Sequence, residues 1–224
     1  MGRTYNSYFR TTLIKNYIYK GPVIEWYMRI KCRIDGYYDF WDRIIPRNAS
    51  VTDIGCGYGQ MDFMLALLSP ERDIVAVDYD NDKIELAKNS FLAKKLNVKF
   101  IYADMLTLEF PKSDVFLFND SLHYVDAESQ REVLIKAIKN LNRGGLIIVR
   151  DGDVSNGKNH EKIVNTEIWS TEILKFNKTE NQLCFVSADY MRQIAEENNM
   201  KIKIRSCDKD SSETLYILTN NEQK

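Results

Sequence analysis

The sequence is poor in several things, and each scarcity excludes a class of protein. Only 4 of its 224 residues are cysteine. Cys32, Cys56, Cys184 and Cys207 lie far apart and form no Cys-x-x-Cys pair. Neither a zinc site nor a disulfide framework is expected, and a reducing, cytoplasmic setting fits best. No apolar run approaches the roughly 18–20 residues of a membrane span. The N-terminus lacks the h-region of a secretory leader, and Asn6 stands where a myristoylation sequence after Gly2 needs Ser or Thr. Formal net charge is only −1, which argues against a nucleic-acid partner held by a basic surface. With 44% hydrophobic and 28% charged residues, the composition is that of an ordinary soluble globular protein with a large core. The length suits one α/β domain with some decoration.

The pattern along the chain divides near residue 46. Residues from about Thr4 to Ile45 read as helical and are rich in Tyr, Lys and Arg. Gly21-Pro22 breaks them into two helices, with Pro22 in a first turn, and Pro46-Arg47-Asn48 ends the second. Strands and helices then alternate. Strands are expected at Val51–Ile54, Ile74–Val77, Val98–Tyr102, Val115–Phe118 and Leu146–Val149. Helices are expected at Gln60–Leu68, Asp82–Leu96 and Ala127–Leu141, the last closed by Asn142-Arg143-Gly144-Gly145. The near-continuous apolar strands fit a parallel sheet covered on both faces. After a polar loop from Gly152 to His160, the spacing predicts a helix around Ile163–Phe176 and a short strand at Leu183–Val186. A helix capped by Ser187 follows from Ala188 to Asn198. Lys201–Arg205 and Thr214–Leu218 read as an antiparallel hairpin at the sheet edge.

The run Ser50-Val51-Thr52-Asp53-Ile54-Gly55-Cys56-Gly57-Tyr58-Gly59-Gln60 carries the most information. Glycines at alternate positions after a strand let the backbone approach a ligand where a Cβ would collide. A dinucleotide fingerprint would need glycine at Gln60, and a P-loop would need Gly-Lys-Ser/Thr. Instead an acid, Asp53, precedes the glycines, and a carboxylate there suits an ammonium group. Asp78-Tyr79 closes the second strand, where an acid hydrogen-bonds ribose hydroxyls in doubly wound sheets. Asp104-Met105 follows the third strand, and Asn119-Asp120 the fourth. All fall on the carboxyl edge, where open α/β sheets bind ligands. A ligand ringed by carboxylates should be cationic and should carry no phosphates.

Together these residues resemble a class I S-adenosylmethionine-dependent methyltransferase, over about Ser50 to Val149 and more weakly to the C-terminus. The resemblance implies a Rossmann-like α/β fold with a doubly wound, seven-stranded, mostly parallel sheet. It implies a helical lid over residues 1–46 and the catalytic domain over 47–224. Asp53, Gly55, Cys56, Gly57 and Gly59 would form the loop at the methionine part of the cofactor. Asp78 and Tyr79 would meet the ribose, and Asp104 and Met105 would flank the adenine. Asn119 and Asp120, through His123, would lie beside the cofactor and open onto the acceptor. S-adenosylhomocysteine would be the product. The segments Lys15–Pro22, Pro46–Ser50 and Arg150–Asp153 further resemble a Bacteroidetes-type group found alone or fused to acyltransferase and transporter modules. Its members lie near aryl-polyene or flexirubin-like pathways. That similarity implies a lipophilic aromatic or acyl acceptor; the expected reaction is methylation of a small molecule on oxygen, with carbon as the second choice.

Several roles stay open at this level. His123 is the candidate base, since only 2 histidines exist and imidazole titrates near neutrality; its alternative is a wall of the pocket. Asp120, Asp151 and Asp153 are either substrate-orienting and capping groups or, as in catechol-type enzymes, magnesium ligands. No metal is assigned. Cys56 is a small packing residue or a reactive thiol. The Tyr-rich N-terminal helices are a lid, with Tyr19 or Tyr27 touching the cofactor, or ordinary packing with a partner surface. Expected partners are a small molecule, a second copy of the chain, and at most a weak membrane-surface contact. A catalytically silent scaffold is the alternative from another class.

Overall fold

The computed structural model describes residues 6–34, 38–152, 183–207 and 213–220. The chain divides into two compact units, Met1–Asp104 and Met105–Lys224. Seven strands form the sheet, three contributed by the first unit and four by the second.

In the first unit, helices α1 (Ser7–Lys15), α2 (Pro22–Ile34) and α3 (Tyr38–Ile44) precede β1 (Ser50–Ile54). Then come α4 (Gln60–Leu68), β2 (Asp73–Asp78), α5 (Asn81–Lys88) and β3 (Val98–Tyr102). The three strands are parallel in the order β3-β2-β1. Asn6 caps α1 by accepting from the Tyr8 and Phe9 amides at 2.9 and 3.3 Å, which satisfies two of the four orphan N–H groups at its start. Three helices therefore stand where the sequence suggests two. The expected long helix from Asp82 is also shorter. Asn89 folds its side-chain amide back onto the Glu85 carbonyl at 2.9 Å, and the Leu92 amide donates to Asn16 Oδ1 at 2.8 Å. A bond to the N-terminal segment thus takes the amide that would have prolonged the helix.

One cation joins much of this unit. The Arg72 guanidinium is fully buried. It donates to Asp42 Oδ1 at 2.9 Å and to the carbonyls of Ile45, Pro46 and Leu65 at 2.6, 3.1 and 2.9 Å. The Asp42 carbonyl takes a further bond at 3.2 Å. Arg72 ties α3, the turn after it, α4 and the start of β2 together at a point where every donor is matched. Such matching is what makes a buried charge tolerable.

In the second unit, β4 (Ser113–Asn119) leads through a 3-10 turn (Leu122–Tyr124) to α6 (Ala127–Asn140) and β5 (Leu141–Gly152). Helix α7 (Ala188–Glu197), β6 (Met200–Ser206) and β7 (Glu213–Asn220) complete it. β4 and β5 are parallel; β7 pairs antiparallel with both β5 and β6. The order β4-β5-β7-β6 contains the predicted edge hairpin. Ser187 caps α7 as expected, accepting from the Tyr190 amide at 3.1 Å. The Asn142–Gly145 turn is a bulge within β5, with Gly144 at φ +77° and the pairing shifted between Ser113 and Val115. A Cβ on Gly145 would stand 2.6 Å from the Asp114 carbonyl. Leu183–Val186 forms no strand; the Cys184 amide instead donates to the His123 carbonyl at 2.9 Å. The helix expected around Ile163–Phe176, and with it Asp153 and His160, lies outside the described residues. No described helix is long and apolar enough to cross a membrane.

Candidate functional site

The glycine loop in the first unit joins β1 to α4. Gly55, Gly57 and Gly59 have φ values of +86°, +57° and +76°, a left-handed region that costs side-chain-bearing residues energy. The Val77 carbonyl on β2 accepts from the Gly55 and Cys56 amides at 2.8 and 3.0 Å. Asp78 Oδ2 accepts from the Gly57 amide at 2.7 Å, and Oδ1 from the Asp80 amide at 2.8 Å. The loop is thus laced to the end of β2 by amide bonds. Gly59 is required twice over, because a Cβ there would lie 2.4 Å from the Phe100 ring as well as at positive φ. Asp78 keeps the acceptor capacity that two amides leave unused on a carboxylate.

The loop's acid is not alone. Asp53 on β1 is 1% exposed, and Asp62 in the first turn of α4 is 0% exposed. Asp53 Oδ1 and both Asp62 oxygens have no donor among the described residues, nor has Gln60 Oε1. Buried acceptors without donors are uncommon in folded proteins and call for an explanation. Burial pushes the Asp53 carboxyl up to about 7, against the lowering effect of a hydrogen bond with Asp62; the Asp78 charge adds to the rise. Burial and the facing Asp53 charge hold Asp62 well above the ordinary carboxyl range. Two ionised carboxylates have no hydrogen to share, so a bond between them requires a proton on one of the two. Burial also pushes the Cys56 thiol up, with Asp62 and Asp78 adding to the effect. The thiol is therefore the poor nucleophile of a packing residue.

The N-terminal helices reach this loop through a residue the sequence did not single out. Tyr17, buried just after α1, donates its hydroxyl to the Tyr58 carbonyl at 2.8 Å. Tyr27 packs its ring against that of Tyr58, with centroids 6.0 Å apart. Tyr19 is 95% exposed. Asp104 and Tyr79 are exposed at the ends of their strands. Asp62 was likewise missed, although its signal is legible: an acid inside the apolar run Met61-Asp62-Phe63-Met64-Leu65 must be buried with its neighbours.

The second unit holds the other candidates. His123 sits in the 3-10 turn after β4, 2% exposed. Its Nδ1 lies 2.7 Å from Asp151 Oδ1, and its backbone amide donates to Asp151 Oδ2 at 3.1 Å. The Gly152 amide also donates to Asp151 Oδ1, at 2.7 Å. In a neutral imidazole, a proton on Nδ1 would meet the Asp151 carboxylate and leave Nε2 as the acceptor. Phe185 stacks on the imidazole with centroids 4.9 Å apart, and Gln130 fixes the turn through the Leu122 and Val125 carbonyls at 3.2 and 3.0 Å. The sequence named His123 and Asp151 separately; the fold pairs them. Asp120 belongs to a different group. It adopts φ +55°, and its Oδ2 lies 3.7 Å from Arg150 Nη2. Arg150 also donates to Asn119 Oδ1 at 3.3 Å and to Glu213 Oε2 at 2.8 Å. Met105 offers its carbonyl to Lys136 Nζ at 2.9 Å, as do Leu106 and Leu108 at 2.9 and 3.0 Å.

Known proteins resemble the chain in the same terms. A carboxy-S-adenosyl-L-methionine synthase from Campylobacter jejuni subsp. doylei is 31% identical over 109 residues, covering 49% of this chain and 46% of that protein. The chain thus aligns with about half the length of the curated relatives it matches. An O-methyltransferase family protein from Burkholderia thailandensis superposes with a TM-score of 0.61 at 17% identity, over 88% of this chain and 61% of the other. The N-methyltransferase NodS from Bradyrhizobium japonicum, solved with S-adenosyl-L-homocysteine, gives 0.59 at 16% identity, over 96% and 99%. At such identities the likeness is one of fold. The family described as "Methyltransferase domain" matches residues 45–222, and the chain belongs to that family.

Proposed function

We propose that the chain binds S-adenosylmethionine and methylates a small, lipophilic acceptor, on oxygen first and on carbon as the second choice. The observation that carries the reading is the set of buried acceptors without donors: Asp53 Oδ1, both Asp62 oxygens and Gln60 Oε1. Oxygens that lack internal donors suit a cation bearing N–H groups, and the glycine loop beside them admits close approach. When bound, the cofactor supplies an already activated sulfonium methyl group. The chain's own residues then bind the cofactor, move a proton and orient the acceptor. Asp53 and Asp62 receive the ammonium end, Asp78 receives ribose hydroxyls on its remaining lone pairs, and Asp104 and Met105 flank the adenine. Asp151 holds the Nδ1–H tautomer, so that His123 Nε2 accepts the proton of an acceptor hydroxyl. Asn119 and Asp120 orient the acceptor, and the lid steadies the loop through Tyr17 and Tyr58.

The curated relatives favour a second reading, in which the chain makes a carboxylated S-adenosylmethionine and has no separate acceptor. A silent scaffold is disfavoured, since a scaffold has no use for buried acids that lack donors. Calorimetry with S-adenosylmethionine and S-adenosylhomocysteine tests the binding claim. Mass spectrometry of the products separates a methylated acceptor from a carboxylated cofactor. His123→Asn should lower kcat by about 10²–10⁴-fold, the range of general acid–base catalysis, with cofactor affinity unchanged. Undiminished turnover removes the base role.

A further inference from the structure

The acids beneath the glycine loop have a consequence for binding that rests on the cofactor reading above. Asp53 and Asp62 come from different elements, β1 and α4, and are both sealed from solvent. Asp53 Oδ1 and both Asp62 oxygens are buried without a donor among the described residues, each carboxyl acts on the other, and a hydrogen bond between two carboxyls exists only while a proton sits on one of them. The charged groups that act on the two carboxyls are other acids. Tyr17, from the turn after α1, and Cys56, in the loop, are both pushed upward and stay neutral near pH 7. Cys32 of α2 lies near Tyr17. Asp78 of β2 adds a negative charge, itself held by the Gly57 and Asp80 amides. Lys83 of α5 is the cation of this neighbourhood; it acts on Cys56 and lies over the Tyr58 ring at 5.6 Å. In the free protein, a shared proton is what relieves the repulsion within the pair.

We infer that the Asp53–Asp62 pair gives up about one proton to solvent when the cationic end of the cofactor binds, so that affinity for the donor is linked to pH. The ammonium takes over the role of the proton: it supplies donors to the orphan oxygens and positive charge to the ionised pair. No covalent bond changes, and the proton leaves to buffer. The direction follows from the upward displacement of Asp53 to about 7. Below that value the pair must lose a proton to bind, so affinity falls as pH falls, by up to about tenfold per unit for one proton. Well above it the first proton has already gone, and the linkage fades. The cofactor's own α-amino group, ordinarily near 7.7–8.0, is fully charged at about pH 6 and adds no release there.

Titration calorimetry at about pH 6, in buffers of different ionisation enthalpy, counts the released protons. The wild type should release close to one proton per cofactor, and Asp62→Asn, whose amide N–H donates to an ionised Asp53 in place of the shared proton, should bind more weakly while releasing almost none. Binding without release in the wild type, or equal release from Asp62→Asn, overturns the inference while leaving the cofactor reading intact. Absence of any binding heat at every pH overturns both. If Asp62→Asn does not fold, or binds too weakly to titrate, carboxyl carbon resonances of the labelled wild type decide the point. Two coupled aspartate signals that titrate above the ordinary carboxyl range, and move to the ionised position on cofactor addition, support the pair. Signals at ordinary carboxylate positions in the free protein refute it.

Discussion

Replacing Gly59 by alanine probes how rigidly the loop is built. The residue sits at φ +76°, and a Cβ would lie 2.4 Å from Cε1 and 2.6 Å from Cζ of Phe100, and 3.5 Å from Phe63. The left-handed backbone alone costs a non-glycine residue about 1–2 kcal/mol. Crowding in a packed core costs about 1–3 kcal/mol more. Phe100 has little room to retreat, because its ring is already tilted against Phe63 with centroids 5.2 Å apart. Gly59→Ala should therefore lose about 2–5 kcal/mol of unfolding free energy, measured by urea denaturation, and should weaken cofactor binding. The two contributions separate in a cycle with Phe100→Leu. In a protein already carrying Phe100→Leu the crowding disappears, and about 1–2 kcal/mol of backbone cost remains. A Gly59→Ala protein within about 0.5 kcal/mol of wild type, the scale of neutral surface changes, would refute the reasoning.

Two further outcomes follow from buried charge. Arg72→Met leaves four carbonyls and Asp42 Oδ1 without their donor, while Arg47 still holds Asp42 Oδ2 at 3.0 Å, and should cost about 3 kcal/mol, read as a fall in the urea midpoint. A loss below about 1 kcal/mol would show that Arg72 is not the tie described. The acid pair should also leave its mark on stability. Asp53 rises from 3.8 unfolded to about 7 folded, so between those values the native state binds the extra proton. Its contribution is therefore lost as pH rises, by about 1.4 kcal/mol per unit for one proton. Asp53→Asn, which removes the displaced carboxyl itself, should gain on the wild type from about pH 5 to 7 in urea midpoints; parallel pH profiles would contradict this.

The sheet was legible because its strands are short apolar runs closed by polar residues. Val51–Ile54, Ile74–Val77 and Val115–Phe118 fall within strands β1, β2 and β4. The glycine spacing likewise marked the loop and its strand-end acids. What escaped the sequence depends on long-range contacts. Asp82–Leu96 has helical periodicity throughout, and only the Asn16 side chain, 76 positions from Leu92 in the chain, explains why the pattern is broken. Asp62 is marked by its apolar neighbours, but its influence on Asp53 joins two separate elements, α4 and β1, which no local pattern reveals. Tyr17 is one tyrosine among 13, and nothing local marks it as the residue that grips the loop. His123 and Asp151 stood out singly, but their 2.7 Å pairing exists only once β4 and β5 lie side by side.

The central claim is that a cationic, adenosine-bearing donor sits on the glycine loop and its acids. Titration calorimetry of the wild type and of Asp78→Ala with S-adenosylmethionine tests it most directly. The account predicts one saturable site in the wild type, and a weaker site in Asp78→Ala whose fold is retained by circular dichroism. No binding by the wild type, or equal affinity in the two proteins, would contradict it.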